Sequence, residues 1–344
     1  MTDPAHAPAV TATSAGDWPG ADAIEAARIS LGELGDPHLP CLPTLPDRGP
    51  GTEPLGRTAA LLTEMPVEQQ SYGWRLTSRP GADLRRTRAA LTSDINAFAD
   101  AVGELSTPPP QIKIRFTGPL SLSAGLYLPA GERVLADPGA RKELAESLAD
   151  GVSGYLSSVQ AAAPKSRLIV QVDEPEAMRV LHGELPTVSG YQRLRRVPVA
   201  QARQLWSELL GSLRNSGAEE VILQGTPDLL QLAGESGFET MMFPEALADQ
   251  QEWENLAAWI EAGHGLVLGL RQPPEQAGPE DLQGVAAQAR DIWRSWRSAG
   301  LGAEQLNLRL ADMQISAQSS TAQARASLRR VTSTAEAVTE LALS

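Results

Sequence analysis

An α/β fold of the (β/α)8 TIM-barrel type is predicted by three features of this sequence. Short apolar, β-branched runs alternate with longer amphipathic stretches along nearly the whole chain, as repeated βα units require. About eight such runs can be placed, the strand number of the barrel. At 344 residues with 42% hydrophobic residues, the chain has the length and the core material for one barrel.

Taken in order, residues 1–9 read as a disordered leader, and residues 10–344 as a single barrel domain. The start, Met1–Ala15, is rich in Ala, Thr and Pro and lacks a basic segment followed by an apolar stretch, so no secretory signal is expected. The first two strand candidates are Val10–Gly16 and Ser71–Leu76. Between them, the Pro-rich stretch Asp36–Gly51 reads as a rigid loop wrapping the barrel. Gln111–Thr117 alternates strictly and runs into the turn Gly118-Pro119, which lacks the glycine pattern of a phosphate cradle. Arg167–Val172 is almost continuously apolar, as a strand covered on both faces should be. Val221–Leu223, Thr240–Phe243, Gly265–Leu270 and Gln305–Leu310 complete the set.

The helices between them carry start and stop signals. Pro138–Ala163 has Asp137 as N-cap and Pro138 at the first helical position. Val199–Asn215 spaces Leu205, Leu209 and Leu213 four apart and meets Gly217 just past its end. Trp253–Ala262, Pro279–Ala299 and Thr321–Leu343 follow the same plan.

Composition excludes partners rather than naming one. A formal net charge of -13 and a pI near 4.9 argue against a nucleic-acid surface and against an anionic membrane surface. No run of ~18 apolar residues is present to span a bilayer. A single cysteine, Cys41, allows no intramolecular disulfide and suits a reducing, cytoplasmic location.

In a (β/α)8 barrel the chemistry lies where strands end. The most pointed such place is Asp173-Glu174-Pro175, directly after the run RLIVQV. These two carboxylates are the candidate substrate-binding residues, suited to a cationic group such as an amine or to acid–base work. The competing reading has them capping the next helix or pairing with Arg179. His6, His38, His182 and His264 show no metal-ligand spacing, and only His38 shares a loop with Cys41. Cys41 reads as a small apolar filler, Arg193–Arg196 as a solvated charged turn, and Trp293 and Trp296 as a helix-packing face.

Several motifs then occur in a telling order: AGDWPG (Ala15–Gly20), HLPCLPTLPDRGPG (His38–Gly51), GRTAALL (Gly56–Leu62), YGWRLTSRPG (Tyr72–Gly81), FTGPLSL (Phe116–Leu122), LADPGARKELAESLADG (Leu135–Gly151) and QVDEPEA (Gln171–Ala177). With them the chain resembles the C-terminal catalytic barrel of cobalamin-independent methionine synthases, especially the short single-barrel members of actinobacteria. The resemblance implies methyl transfer from methyl-tetrahydrofolate to homocysteine, with a zinc ion making the thiol a thiolate. It also implies that Asp173, matching the aspartate of the family's Asp-Glu-Pro motif, holds the homocysteine amine.

The same resemblance implies that the zinc site is degenerate and no cofactor is bound. Leu223 and Gly225 stand at the positions of the family's His-x-Cys pair, and Leu310-Ala311-Asp312-Met313 stands where the last cysteine should follow. Glu239 or Glu245 is the candidate relic of a glutamate ligand. Gly269-Leu270-Arg271 replaces an Asp-x-His pair, Gly125 falls near the place of a folate-stacking tryptophan, and Asp17 replaces a serine. Three functions stay open: a methionine-synthase-like enzyme with lost or altered catalysis, a non-catalytic binder of an amino-acid-like or folate-like small molecule, and a metal-free decarboxylase-like barrel. The last, by analogy with uroporphyrinogen decarboxylase, would need arginines such as Arg115, Arg271 and Arg309 to converge on substrate carboxylates.

Overall fold

The computed structural model describes residues 10–244, 250–270 and 282–344. The leader 1–9 and the residues Glu245 and Arg271 lie outside the described residues. Ten strands are described: β1 (Thr11–Ser14), β2 (Val67–Gln70), β3 (Gly73–Leu76), β4 (Gln111–Thr117), β5 (Leu126–Tyr127), β6 (Arg167–Asp173), β7 (Ala218–Gln224), β8 (Thr240–Phe243), β9 (Gly265–Gly269) and β10 (Leu308–Asp312). Helices α1 (Ala23–Glu33), α2 (Pro54–Ala59), α3 (Ala82–Gly103), α4 (Pro119–Gly125), α5 (Pro138–Ala162), α6 (Ala177–His182), α7 (Val199–Asn215), α8 (Leu230–Ser236), α9 (Gln250–Glu261), α10 (Leu282–Ser298) and α11 (Thr321–Leu343) alternate with them.

Seven strands form one all-parallel sheet in the order β1-β10-β9-β8-β7-β6-β4. Its two edge strands are joined by an extended segment rather than by a regular strand. On the β1 side, Leu39 N donates to Ala12 O at 2.8 Å, Thr44 N to Gly16 O at 2.7 Å, and Trp18 N to Thr44 O at 2.8 Å. On the β4 side, Leu42 N donates to Lys113 O at 2.9 Å and Lys113 N to Pro40 O at 2.8 Å. The stretch expected to wrap the barrel as a loop therefore forms part of its wall.

The expected strand Ser71–Leu76 is corrected in turn. β3 pairs antiparallel with β2 and parallel with the short β5 in a separate three-stranded sheet. The reason is burial: β3 alternates buried and half-buried residues, whereas β6 is buried along all but its first residue. The last barrel strand lies about one turn later than expected, at Leu308–Asp312, because Ala303–Gln305 forms a 3-10 turn.

Helix signals were legible locally. Asp137 accepts from Gly139 N at 2.8 Å and Ala140 N at 3.0 Å, capping α5, with Pro138 at its first position. Gly217, at φ +95°, follows the end of α7. Between sheet and helices lies the large outer core, to which α7 gives Leu205, Trp206, Leu209, Leu210 and Leu213. Inside the ring a second buried cluster of Leu39, Ile169, Ile222, Met242, Val267 and Ala311 plugs the barrel. This is a packed interior layer rather than a pore.

Candidate functional site

The polar residues of the barrel interior sit above and below that plug. Below it, toward the N-terminal strand ends, Arg309 grips Glu220 with bonds of 2.6 and 2.8 Å, and Thr240 Oγ1 adds one of 2.5 Å. Burial would raise the Glu220 pKa, but Arg309 outweighs it and holds the carboxyl below its usual range. This is a closed ion pair at the end of the barrel away from the chemistry.

Above the plug, alternate residues of β4 and β6 face inward and build the site. Asp173 ends β6, and its side chain is 10% exposed. Its Oδ1 accepts from Gln171 Nε2 at 2.7 Å, and its Oδ2 lies 3.4 Å from Arg115 Nε. Arg115 also reaches Asp17 Oδ1 at 3.0 Å and donates to Ala15 O at 2.8 Å. Burial pushes the Asp173 carboxyl up, against the opposing pull of Arg115, Gln171 and Lys113. For Arg115, burial is outweighed by Asp173 and Asp17, which raise its pKa. Gly16, at φ +110°, lets the chain pass Arg115, since a Cβ there would stand 2.9 Å from Arg115 Cδ.

Beneath this pair lies Lys113, fully buried. Its ammonium donates to Gln171 Oε1 at 2.6 Å and to the carbonyl of Ser14. With Lys113 claiming its oxygen, Gln171 can only turn its NH2 upward, where it donates to Asp173 and, at 2.7 Å, to Gln224 Oε1. Lys113 thus sets the amide that sets the carboxylate. Burial lowers its pKa to about 8. Reasoning from sequence missed Lys113, Gln171 and Gln224. The signal was present in QIKIRFT, where Gln111, Lys113 and Arg115 occupy one face of a strand otherwise apolar.

Glu174 turns away, as strand alternation requires, and is 1% exposed. Its carboxylate accepts from Leu120 N at 3.0 Å, Ser121 N at 2.7 Å and Trp206 Nε1 at 2.8 Å. It therefore holds the start of α4 against β6 and α7. Burial raises its pKa, against the hydrogen bonds from Ser121 and Trp206. The close approach needs Gly118, where a Cβ would lie 2.4 Å from Glu174 Oε1. Arg179 pairs with Glu176 at 2.7 Å, not with Asp173.

The other sequence candidates are scattered. His38 Nδ1 accepts from Ala12 N at 3.2 Å, His264 stacks on Trp259 at 4.1 Å, and His182 is exposed beside Glu184. Cys41 is buried against Ser30. Trp296 is fully buried and donates to Gly302 O at 3.0 Å, a packing role. Arg193, Arg195 and Arg196 are exposed.

On β7 the inward residues are Glu220 below the plug, Ile222 within it, and Gln224, bonded to Gln171. Leu223 belongs to the outer core, so the 223 and 225 positions assigned to a ligand pair do not face the lumen. Glu239 precedes β8 and pairs with Arg214 at 2.9 Å, at the opposite end of the strand from the mouth, which corrects its reading as a relic ligand. Among the described residues no group of three or more His, Cys, Asp or Glu is arranged to hold a metal ion. Arg115 and Arg309 do not converge: they lie on opposite sides of the plug, each on carboxylates.

No family model matches the sequence, and no curated protein matches it. In fold the chain is similar to a B12-independent methionine synthase from Shewanella sp. W3-18-1, solved in complex with selenomethionine. The TM-score is 0.56 at 12% identity, covering 97% of this chain and 99% of that one. A 2,3-dimethylmalate lyase of the PEP mutase/isocitrate lyase superfamily aligns at a TM-score of 0.39 and 10% identity, over 94% of this chain and 81% of that one. An oxaloacetate acetylhydrolase gives 0.38 and 13%, over 90% and 78%. The first likeness supports a related barrel fold. Among the described residues no helix is long and apolar enough to cross a membrane.

Proposed function

We propose that this chain is a methionine-synthase-like barrel that retains a pocket for an amino-acid-like ligand and has lost zinc-dependent methyl transfer to homocysteine. The reading takes the family activity from the motif order and the fold, and its loss from the residues at the mouth. A thiol without a metal keeps a pKa near ~8.5, leaving only a few per cent thiolate at neutral pH. Gln224, Ile222 and Met313 supply neither thiolate nor imidazole to change that.

One observation carries the ligand class. Asp173 and Asp17 flank the guanidinium of Arg115, with the Lys113 ammonium beneath, so the mouth presents two carboxylates, Asp17 the more exposed. An ammonium group is its natural complement, as in an amino acid; a folate-like molecule is the alternative occupant, with its ring amine on Asp173. Glu174 then acts through position only, fixing the turn that presents Asp173.

The test is a melting-temperature screen of the purified chain with methionine, homocysteine and folates, followed by titration of whichever binds. Hydrogen bonds to charged groups contribute roughly 1.5–3 kcal/mol, so Asp173→Asn is expected to weaken binding on the order of tenfold to a hundredfold. Melting should change little, because Asn keeps the shape. Equal binding by both proteins, with a lower melting temperature for the variant, would make Asp173 purely structural. Elemental analysis of the same preparation after dialysis checks the metal half of the reading: one equivalent of zinc per chain would overturn it.

A further inference from the structure

Surface arginines such as Arg28, Arg167, Arg179, Arg203 and Arg214 each meet a carboxylate. Arg193, Arg195 and Arg196 are exposed too, but among the described residues their side chains meet none. All three belong to one hairpin in the connection from β6 to α7, where Pro186 and Arg193 are bridged antiparallel. Leu194 N donates to Leu185 O at 2.8 Å and Thr187 N to Gln192 O at 2.8 Å, and Gly190 N closes the turn onto Thr187 O at 2.9 Å. Gly190 has φ +74°, a conformation glycine takes without strain.

The hairpin is anchored at its feet and bare at its tip. Leu185, Leu194 and Val197 are buried, whereas Val188 is 55% exposed and Tyr191 94%. A ring so exposed adds little to the core, and on an ordered turn it gives up little freedom when a partner covers it. The one acid between residues 183 and 198 is Glu184, at the foot beside His182. The tip thus joins two apolar side chains to three guanidiniums, whose planar forks match carboxylates. Tyrosine and arginine are also the residue types that anchor protein interfaces.

We propose that this hairpin docks an acidic segment of a partner protein, its carboxylates on Arg193, Arg195 and Arg196 and an apolar side chain against Tyr191 and Val188. The whole chain carries a formal charge of -13, so attraction is confined to the hairpin, within a screening length of about 8 Å at physiological salt. A short acidic segment ends inside that reach. A nucleic acid would carry its phosphates past it onto an acidic molecule. A two-fold contact with a second copy would set arginines against arginines. The surface is independent of the ligand read at Asp173, and each can fail without the other.

The probe is a short synthetic peptide alternating glutamate with leucine and phenylalanine, capped at both ends, titrated into the full chain and followed by fluorescence anisotropy of a label. Saturable binding is expected, and about tenfold weaker binding when glutamine replaces every glutamate. Each of Arg193→Ala, Arg195→Ala and Arg196→Ala should weaken it about twofold to fivefold, and the triple change about tenfold or more. Tyr191→Ala should weaken it about fivefold. All four side chains are exposed, so the melting temperature should hold in every variant. Arg79→Ala/Arg290→Ala, removing two exposed arginines elsewhere, should leave binding unchanged. No saturable binding by the wild type, wild-type affinity in the triple variant, or equal binding of the glutamine peptide overturns the proposal. So does an equal loss in Arg79→Ala/Arg290→Ala, or tighter binding of a single-stranded oligonucleotide of the same length. Self-association of the wild type in sedimentation, abolished by the triple change, would give the hairpin to a second copy and overturn it too.

Discussion

Adjacent carboxylates in one motif, Asp173 and Glu174, have opposite fates because a strand sends successive side chains to opposite faces. Asp173 meets the lumen and keeps part of its surface; Glu174 meets three donors and keeps almost none. Glu174→Gln would put an NH2 where donors already converge, leaving at least one buried donor unmet. A loss of about 2 kcal/mol is expected, read from urea unfolding of the two proteins, with ligand binding at Asp173 little changed. Lys113 makes a different demand. Its pKa falls from 10.5 to about 8 on folding. Below pH 8 the folded protein bears the full cost of a buried ammonium. Between pH 8 and 10.5 the unfolded chain holds the proton and the folded one does not, so stability rises with pH across that window. Unfolding free energies at the two ends should differ in favour of the high-pH end by on the order of 3 kcal/mol more in the wild type than in Lys113→Met. Equal pH dependence in both proteins would mean that Lys113 titrates normally.

At the scale of elements, helices declared themselves through local chemistry, and strands through continuous apolar runs or strict alternation, as β6 and β4 show. Asp137-Pro138 marks α5, and the leucine spacing of α7 predicts its span, because caps and periodicity are written within a few residues. Leu39–Thr44 was illegible for a physical reason: Pro40 and Pro43 lack the N–H that a sheet ladder uses, so the segment carries the marks of a loop. It is held in place by main-chain bonds given to and taken from its neighbours, information that lies far away in the chain. Gly73–Leu76 erred the other way, having strand composition without a place in the ring. The site divides similarly. Asp173 was readable from its position at a strand end, whereas the Lys113–Gln171–Asp173 chain was not, since three separate hydrogen bonds across three strands decide it.

Over the whole molecule, the interior of the ring is layered: an ion pair, an apolar plug, then a charged mouth. The plug keeps the two ends out of contact, though Lys113 still feels Arg309 and Glu220 across it. The wall around them is uneven. β4 and β6 pair through a long unbroken register, and β6 and β7 through one with a single shift between Leu168 and Ile169, while the Pro-rich segment is held on its two sides by the few main-chain bonds named above. A ring so built has a hinge line in time as well as in space. Local opening should begin along that seam, because fewer main-chain bonds join it to β4 than join β4 to β6 or β6 to β7. In native-state hydrogen exchange, the amides of Leu39, Leu42, Thr44 and Trp18 are expected to trade protons well before those of Val170, Val172 and Ile222, through an opening smaller than global unfolding. Uniform protection around the ring would show that the side-chain stitches of Lys113 and Arg115 to β1 make up for the missing proline amides. If the seam does part first, solvent gains a transient route to the Lys113 ammonium, and the most deeply buried charge of the barrel lies behind its most easily opened wall.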